Sequence, residues 1–301
     1  MAVFALLAVL MVNVIDRTST LWRSSLSKSE QFRSARVGLE TISRRIGTSV
    51  LNPYQDYEYP GGNSSLPPTR FQLRSDLRFQ TGKSGVLFAS EAATHPSHGI
   101  FFQAPGGWVA APSTFGSLPS LLNTFGYFVQ YTPLTDPLDA ASTKWRYRLV
   151  EMREPAEDLT VFRYTGGNAD YAGTEWITVP GSAAANRRIL ADNVIGLFVV
   201  ARDSDGNPLG TNYNFSSATA PAALRNLLPA SVEVVLVSID EATANRVCLD
   251  SSPPSLLPSN LFTTAANFNS DLATLETHLL SLTPPIRAYV ERASVILSPE
   301  R

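Results

Sequence analysis

The sequence is poor in the features that most often betray a function. It has one cysteine, Cys248, among 301 residues. An intrachain disulfide framework is therefore excluded, and cysteine usage does not reveal a redox compartment. Cys248 reads as a small buried hydrophobe. No excess of charge of either sign is present: 24 Lys and Arg stand against 26 Asp and Glu, a formal net charge of -2. That balance lacks the basic footprint of a nucleic-acid binder. The chain also lacks an apolar run of the roughly 20 residues that cross a bilayer core. Its longest run, MAVFALLAVLMVNVI at residues 1–15, is interrupted only by Asn13 and stops at Asp16 and Arg17.

Complete catalytic or metal-binding motifs are missing as well. His95 and His98 form an H-x-x-H pair beside Pro96 and Gly99. Two ligands do not close a zinc site, and the pair reads as two solvated loop histidines. Thr81-Gly82-Lys83-Ser84 imitates the end of a phosphate loop, but Leu77 stands where the full pattern needs its first glycine. Asp203-Ser204-Asp205-Gly206-Asn207 looks like part of a calcium loop, yet its glycine is fourth rather than sixth and Asn214 occupies the twelfth place. A turn is the better reading. No G-x-S-x-G is present. We expect no enzyme, no cofactor, no metal and no small-molecule substrate.

What the sequence does contain is a patterned N-terminal segment and a β-rich remainder. Apolar residues make up 44% of the chain, enough for a folded core. Residues 16–51 contain no proline, and Asn52-Pro53 is a strong stop. Phe32, Ala35, Leu39, Ile42, Ile46 and Val50 recur at three- and four-residue steps and make one apolar stripe. Arg33, Arg36, Glu40, Arg44 and Arg45 fall largely off it. A single helix over residues 1–52 would be about 78 Å long. Its first part is apolar on all sides, through Val3, Phe4, Leu6, Leu7, Leu10, Met11 and Val14. A segment of that kind sits in lipid or among other apolar helices. At roughly 22 Å it is short of a span. A buried helix and a signal peptide are the competing readings, but no basic residue precedes it and no A-x-A site follows. We read it as the tail of a spanning helix whose start lies upstream of Met1.

The body, residues 53–301, opens on a turn-rich stretch with Pro60-Gly61-Gly62-Asn63 and Pro67-Pro68. Strands are expected at 85–89, 99–103, 127–131, 145–152, 194–201, 232–239 and 288–297, where β-branched and aromatic residues concentrate. Within 145–150, Trp145, Tyr147 and Leu149 point one way and Arg146 and Arg148 the other. A helix is expected over 266–282, with Leu272, Leu275, Leu279 and Leu282 as a core face. The fold class read from these signals is α+β: a long N-terminal α-helix packed, through Phe32, Leu39, Ile42, Ile46 and Val50, on an antiparallel β-sheet body.

The start MAVFALLAVLMVNVIDR, running into LWRSSLSKSEQFRSARVGLETISRRIGTSV, resembles the N-terminal helix of type IV prepilins and pseudopilins. Prepilins carry a short basic leader ending in glycine, followed by a phenylalanine and a glutamate. The leader is cleaved and the new N-terminus methylated. None of those residues lies within this sequence. WRYRLVEMREP, ILADNVIGLFVVARD and the Leu228-Pro229-Ala230-Ser231-Val232-Glu233-Val234 stretch resemble the J-type minor pseudopilins. The chain is also similar to the prepilin-like group called Verru_Chthon cassette protein C. The resemblance implies a pilin-like fold and a minor subunit of a type IV pilus or type II secretion-like filament. Its partners would be other pilin-like subunits, and the inner membrane before assembly. It would be single-pass, with the body in the periplasm or at the cell surface. The alternative is a monomeric membrane-anchored surface or periplasmic binding domain.

Overall fold

A computed structural model describes residues 33–88, 94–110, 118–136, 139–165 and 171–297, together with positions 11, 15 and 18. The first extended element is a helix over residues 33–46, here α1. It ends six residues before the Asn52-Pro53 stop. Gly47, directly after the last buried residue of the helix, closes it: its amide donates to Ser43 O at 3.0 Å and Thr48 N to Arg45 O at 3.1 Å. Glycine just past a helix end is the commonest terminator. The chain then runs extended, and the Val50 amide donates to Gln103 O at 3.0 Å.

The α+β expectation, with one long N-terminal helix on an antiparallel body, is corrected by this architecture. The described residues are mostly β: eleven strands lie in three antiparallel sheets and the helices are short. No long N-terminal helix is found among them: α1 covers residues 33–46, and most of residues 1–32 lie outside the described residues. Two physical facts shape the part that is described. Gly47 ends the helical run early, and the body uses more of its length as strand than its apolar clusters alone announce.

A two-stranded ribbon comes first, β1 (Tyr54–Glu58) and β2 (Arg70–Arg74). The main sheet has the order β7-β6-β5-β4-β3-β9. Its members are β3 (Phe79–Lys83), β4 (His98–Pro105), β5 (Leu122–Asp136), β6 (Asp139–Arg153), β7 (Arg187–Asp192) and β9 (Phe215–Ser216). The β5–β6 hairpin dominates it, with fifteen residues in each strand and Phe125 opposite Arg153. A third sheet has the order β11-β10-β8, from β8 (Val194–Arg202), β10 (Ser231–Ile239) and β11 (Ala288–Ile296). β8 packs across β3, β4, β5 and β6, so its residues 194–201 are all buried. That double burial explains their near-continuous apolar run.

Short helices pack beside the main sheet: α2 (Ser84–Leu87) against β3 and β4, α4 (Glu175–Ser182) against β6, and α3 (Thr160–Thr165) against α4. Phe88, just after α2, packs on Phe101 of β4 and Phe128 of β5 with ring centroids 5.6 and 5.0 Å away. The close approach continues at Gly126, where any Cβ would collide with the Phe101 ring. Residues 85–88 of the strand expected at 85–89 instead belong to α2 and the turn after it, and residue 89 lies outside the described residues. α5 (Glu241–Val247) is capped by the Asp240 carboxylate, which accepts from Thr243 N. α6 (Phe268–Ser281) buries Leu272, Leu275 and Leu279.

Candidate functional site

Two places concentrate features with a functional reading: the contact of α1 with the body, and a cavity where two sheets meet. Along α1, Ala35, Leu39, Ile42 and Ile46 are buried. Gly38 lets the helix approach β6, since a Cβ there would stand 3.0 Å from Leu149 Cδ2. Further along, the Arg45 guanidinium lies 4.7 Å above the Phe125 ring and donates to Pro105 O at 3.1 Å. Arg45 was placed off the apolar stripe and is here half-buried, its stem covering apolar surface while the charge finds an acceptor. Val50 is half-buried beyond the helix end. The outward face carries Val37 and the Arg36–Glu40 pair at 3.3 Å, both of whose side chains are exposed.

The other predicted residues divide by position. Val3, Phe4, Leu6, Leu7, Leu10, Val14 and Phe32 lie outside the described residues. Met11 is described and is 70% exposed, and Ile15 is 64% exposed. Among the described residues no helix is long and apolar enough to cross a membrane.

His95 and His98, expected in solvent, are both buried. The reason is register. His98 opens β4 and shares a face with Ile100 and Phe102, which are fully buried. Reading His98 at period two with those neighbours was the signal available in the sequence. Its ring lies 5.4 Å from Phe198 of β8 and 4.5 Å from Tyr213. Val199 N donates to His98 Nδ1 at 3.3 Å, and Leu197 N donates to Ser97 Oγ at 3.0 Å. Two side chains thus satisfy the outer edge of β8 where no strand pairs with it. Burial, helped by the nearby Lys83 ammonium, holds the His98 pKa down at about 3. His98 is therefore neutral, and with Nδ1 acting as acceptor its proton is on Nε2. That Nε2 is buried and has no hydrogen-bond partner among the described residues. His95 instead stacks on Phe88 at 4.7 Å.

These histidines line a cavity of about 390 Å³. Its walls include Lys83, Val86, Ser97, Phe198, Leu257, Leu261 and Phe262. Lys83, the end of the Thr81–Ser84 stretch that imitates a phosphate loop, faces His98 across the β3–β4 ladder. The stretch runs from a strand into a helix of only four residues, with no glycine-rich cradle ahead of it. Ser97 and Phe262 both hold left-handed backbone, at φ 71° and 54°. Such residues are uncommon and cluster at functional sites.

A second concavity of about 260 Å³ lies between Trp108, Arg153, Arg187, Arg188 and Glu151. The Arg153 guanidinium stacks 4.3 Å over Trp108, and Arg188 pairs with buried Glu151 at 3.3 Å. Burial first, then the neighbouring Arg188 and Arg45, pulls the Arg153 pKa below its ordinary value. Arg146 and Arg148 are buried too. Arg146 reaches Glu241 at 2.8 Å, and Arg148 reaches Asp192 at 2.7 Å.

The remaining motifs are structural. The Asp203 carboxylate accepts from Asp205 N and Asn207 N, so the would-be calcium loop is a turn tied by its own aspartate. Among the described residues no cluster of three His, Cys, Asp or Glu side chains could hold a metal. Cys248 is buried, and burial raises its thiol pKa. No family model matches the chain. No curated protein matches it either.

Proposed function

We propose that the chain is a structural subunit of a type IV pilus or type II secretion-like filament, in the role of a minor pilin or pseudopilin. The observation that carries this reading is a contrast inside the first 51 residues. α1 spends its apolar stripe on the body, burying Leu39, Ile42 and Ile46. The apolar run ahead of it, residues 1–15, contains no ionisable side chain, and its described members Met11 and Ile15 are largely exposed. An uncharged surface of that kind is satisfied by lipid or by like segments of neighbouring subunits. The inner membrane hosts the segment before assembly, and other pilin-like subunits host it afterwards. The incomplete motifs agree with a role in which the chain is a building part rather than a catalyst.

One observation favours a second reading, a membrane-anchored binding domain: the 390 Å³ cavity is large enough for a small ligand. Both readings place the N-terminal segment at a membrane. Fractionation tests that shared element. The full chain should sediment with membranes, and a chain beginning at Ser24 should stay in the soluble fraction. A full chain that is soluble and monomeric without detergent would overturn both.

A further inference from the structure

We propose that the cavity between β8, residues 83–86 and 95–98, and the 257–262 loop binds a small amphipathic carboxylate. The carboxylate sits at Lys83 and His98, and the apolar body lies against Val86, Leu257, Leu261 and Phe262. This inference does not depend on the filament reading.

Three independent observations lead to it. The first is an unmet donor. Val199 N occupies His98 Nδ1, which fixes the proton on Nε2, and Nε2–H has no acceptor among the described residues. A buried donor left without a partner keeps the full cost of its desolvation. Native proteins keep few of these, and a ligand oxygen is one way to satisfy this one.

The second is charge. Lys83 and His98 are direct cross-strand partners, so their Cβ atoms are within about 5.5 Å. Lys83 is the one formally charged residue among the described walls, and it makes no ion pair with the described residues. Among the described walls the unpartnered His98 Nε2–H is a donor, and the one formal charge, on Lys83, is positive. A single anionic acceptor meets both. The wall opposite is apolar, which selects one headgroup on a hydrocarbon body rather than a polyanion.

The third is backbone. Ser97 and Phe262, both in the cavity walls, are held at positive φ. Ser97 is placed there to cap β8 through its hydroxyl. Phe262 is held by its amide donating to Asp271 Oδ2 at 2.8 Å, and its ring stacks 3.9 Å from Phe198. The walls are therefore fixed in advance of any ligand, as binding sites usually are. At roughly 30 Å³ per non-hydrogen atom, 390 Å³ holds about a dozen such atoms.

The probe is 4-phenylbutyrate, an aryl carboxylate of that size, titrated calorimetrically into the detergent-solubilised full chain. 4-Phenylbutanol and 4-phenylbutylamine serve as neutral and cationic counterparts. We expect one saturable site for the carboxylate, at least tenfold weaker binding of the alcohol, and none of the amine. Lys83→Met should weaken the carboxylate at least tenfold and leave the alcohol unchanged. Val86→Trp, at the solvent-facing rim, should block both. The His98 Nε2 nitrogen resonance should shift on adding the carboxylate. Both substituted side chains reach solvent, so each variant should melt as the parent does. Equal affinity for acid and alcohol, carboxylate affinity unchanged by Lys83→Met, binding retained in Val86→Trp, or no saturable binding would each overturn the proposal.

Discussion

Residues 1–15 and α1 are both rich in apolar side chains, and their described members differ in exposure. In α1 the apolar residues fall on one stripe, and the body supplies the other half of the contact: Gly38 admits Leu149, and Arg45 spans from Phe125 to Pro105. In the earlier segment the apolar residues surround the chain, and Met11 and Ile15 are left largely exposed. The lesson is that hydrophobicity alone does not decide where a segment packs; its angular distribution does. A stripe can be satisfied by one partner surface within the chain. A segment that is apolar all round needs partners on every side, and one small body cannot provide them.

That contrast predicts effects of different size. The largest belongs to the docked stripe. Ile42→Ala removes a fully buried side chain between α1 and the body, and should cost about 2–5 kcal/mol. Thermal melting of the detergent-solubilised chain would show a clear fall; an unchanged midpoint would mean that α1 does not hold the body.

Acid should separate the two regions. Folded His98 stays neutral down to about pH 3, whereas an unfolded histidine takes up a proton below about pH 6.5. Between those values unfolding binds a proton, so the body loses stability as pH falls, by up to about 1.4 kcal/mol per pH unit from this group. Stability from this source is fully present above about pH 6.5. Melting midpoints taken from pH 7 to pH 4 should fall less steeply in His98→Gln than in the parent. Residues 1–15 carry no titratable side chain, so association through them should not change over the same range. Parallel slopes for parent and variant would remove His98 from the account.

The smallest effect on folding is expected where the exposure is greatest. Met11→Ser with Ile15→Ser should leave the melting of the body within about 0.5 kcal/mol of the parent, while reducing the fraction that sediments with membranes. A marked loss of body stability would show that these side chains pack on the body after all.

How much of this was legible in the sequence varied with how local the cause was. The centres of β4, β5, β6, β8, β10 and β11 coincide with runs of β-branched and aromatic residues, and 99–103, 127–131 and 194–201 fall inside them. The Leu272, Leu275 and Leu279 face of α6 was equally plain. The β1–β2 ribbon is not announced by the sequence, because YQDYE and RFQLR are mostly charged or amide and sit among prolines. Their pairing is instead supported by Arg74–Asp56 and Arg70–Glu58 contacts across the ribbon. β7 was missed for a similar reason: RRILAD offers little apolar alternation and gains its place from pairing with β6. Gly47 gave a clear local stop that the more conspicuous Asn52-Pro53 overshadowed. The cavity had no local signal at all. It joins residues 83–86 and 95–98 to Phe198 and 257–262, and only the crossing of β8 over the main sheet brings them together.

The central claim is that residues 1–15 associate with other subunits, and crosslinking tests it most directly. Cysteines placed at Leu6 and Leu10 in a Cys248→Ala background, with all partner genes present, should crosslink to pilin-like subunits. Leu7→Lys, which costs about 2.5–3.5 kcal/mol at a bilayer centre, should abolish the crosslinks, and Leu7→Ile should preserve them. A functional protein that never crosslinks to a pilin-like partner through either position would contradict the filament account.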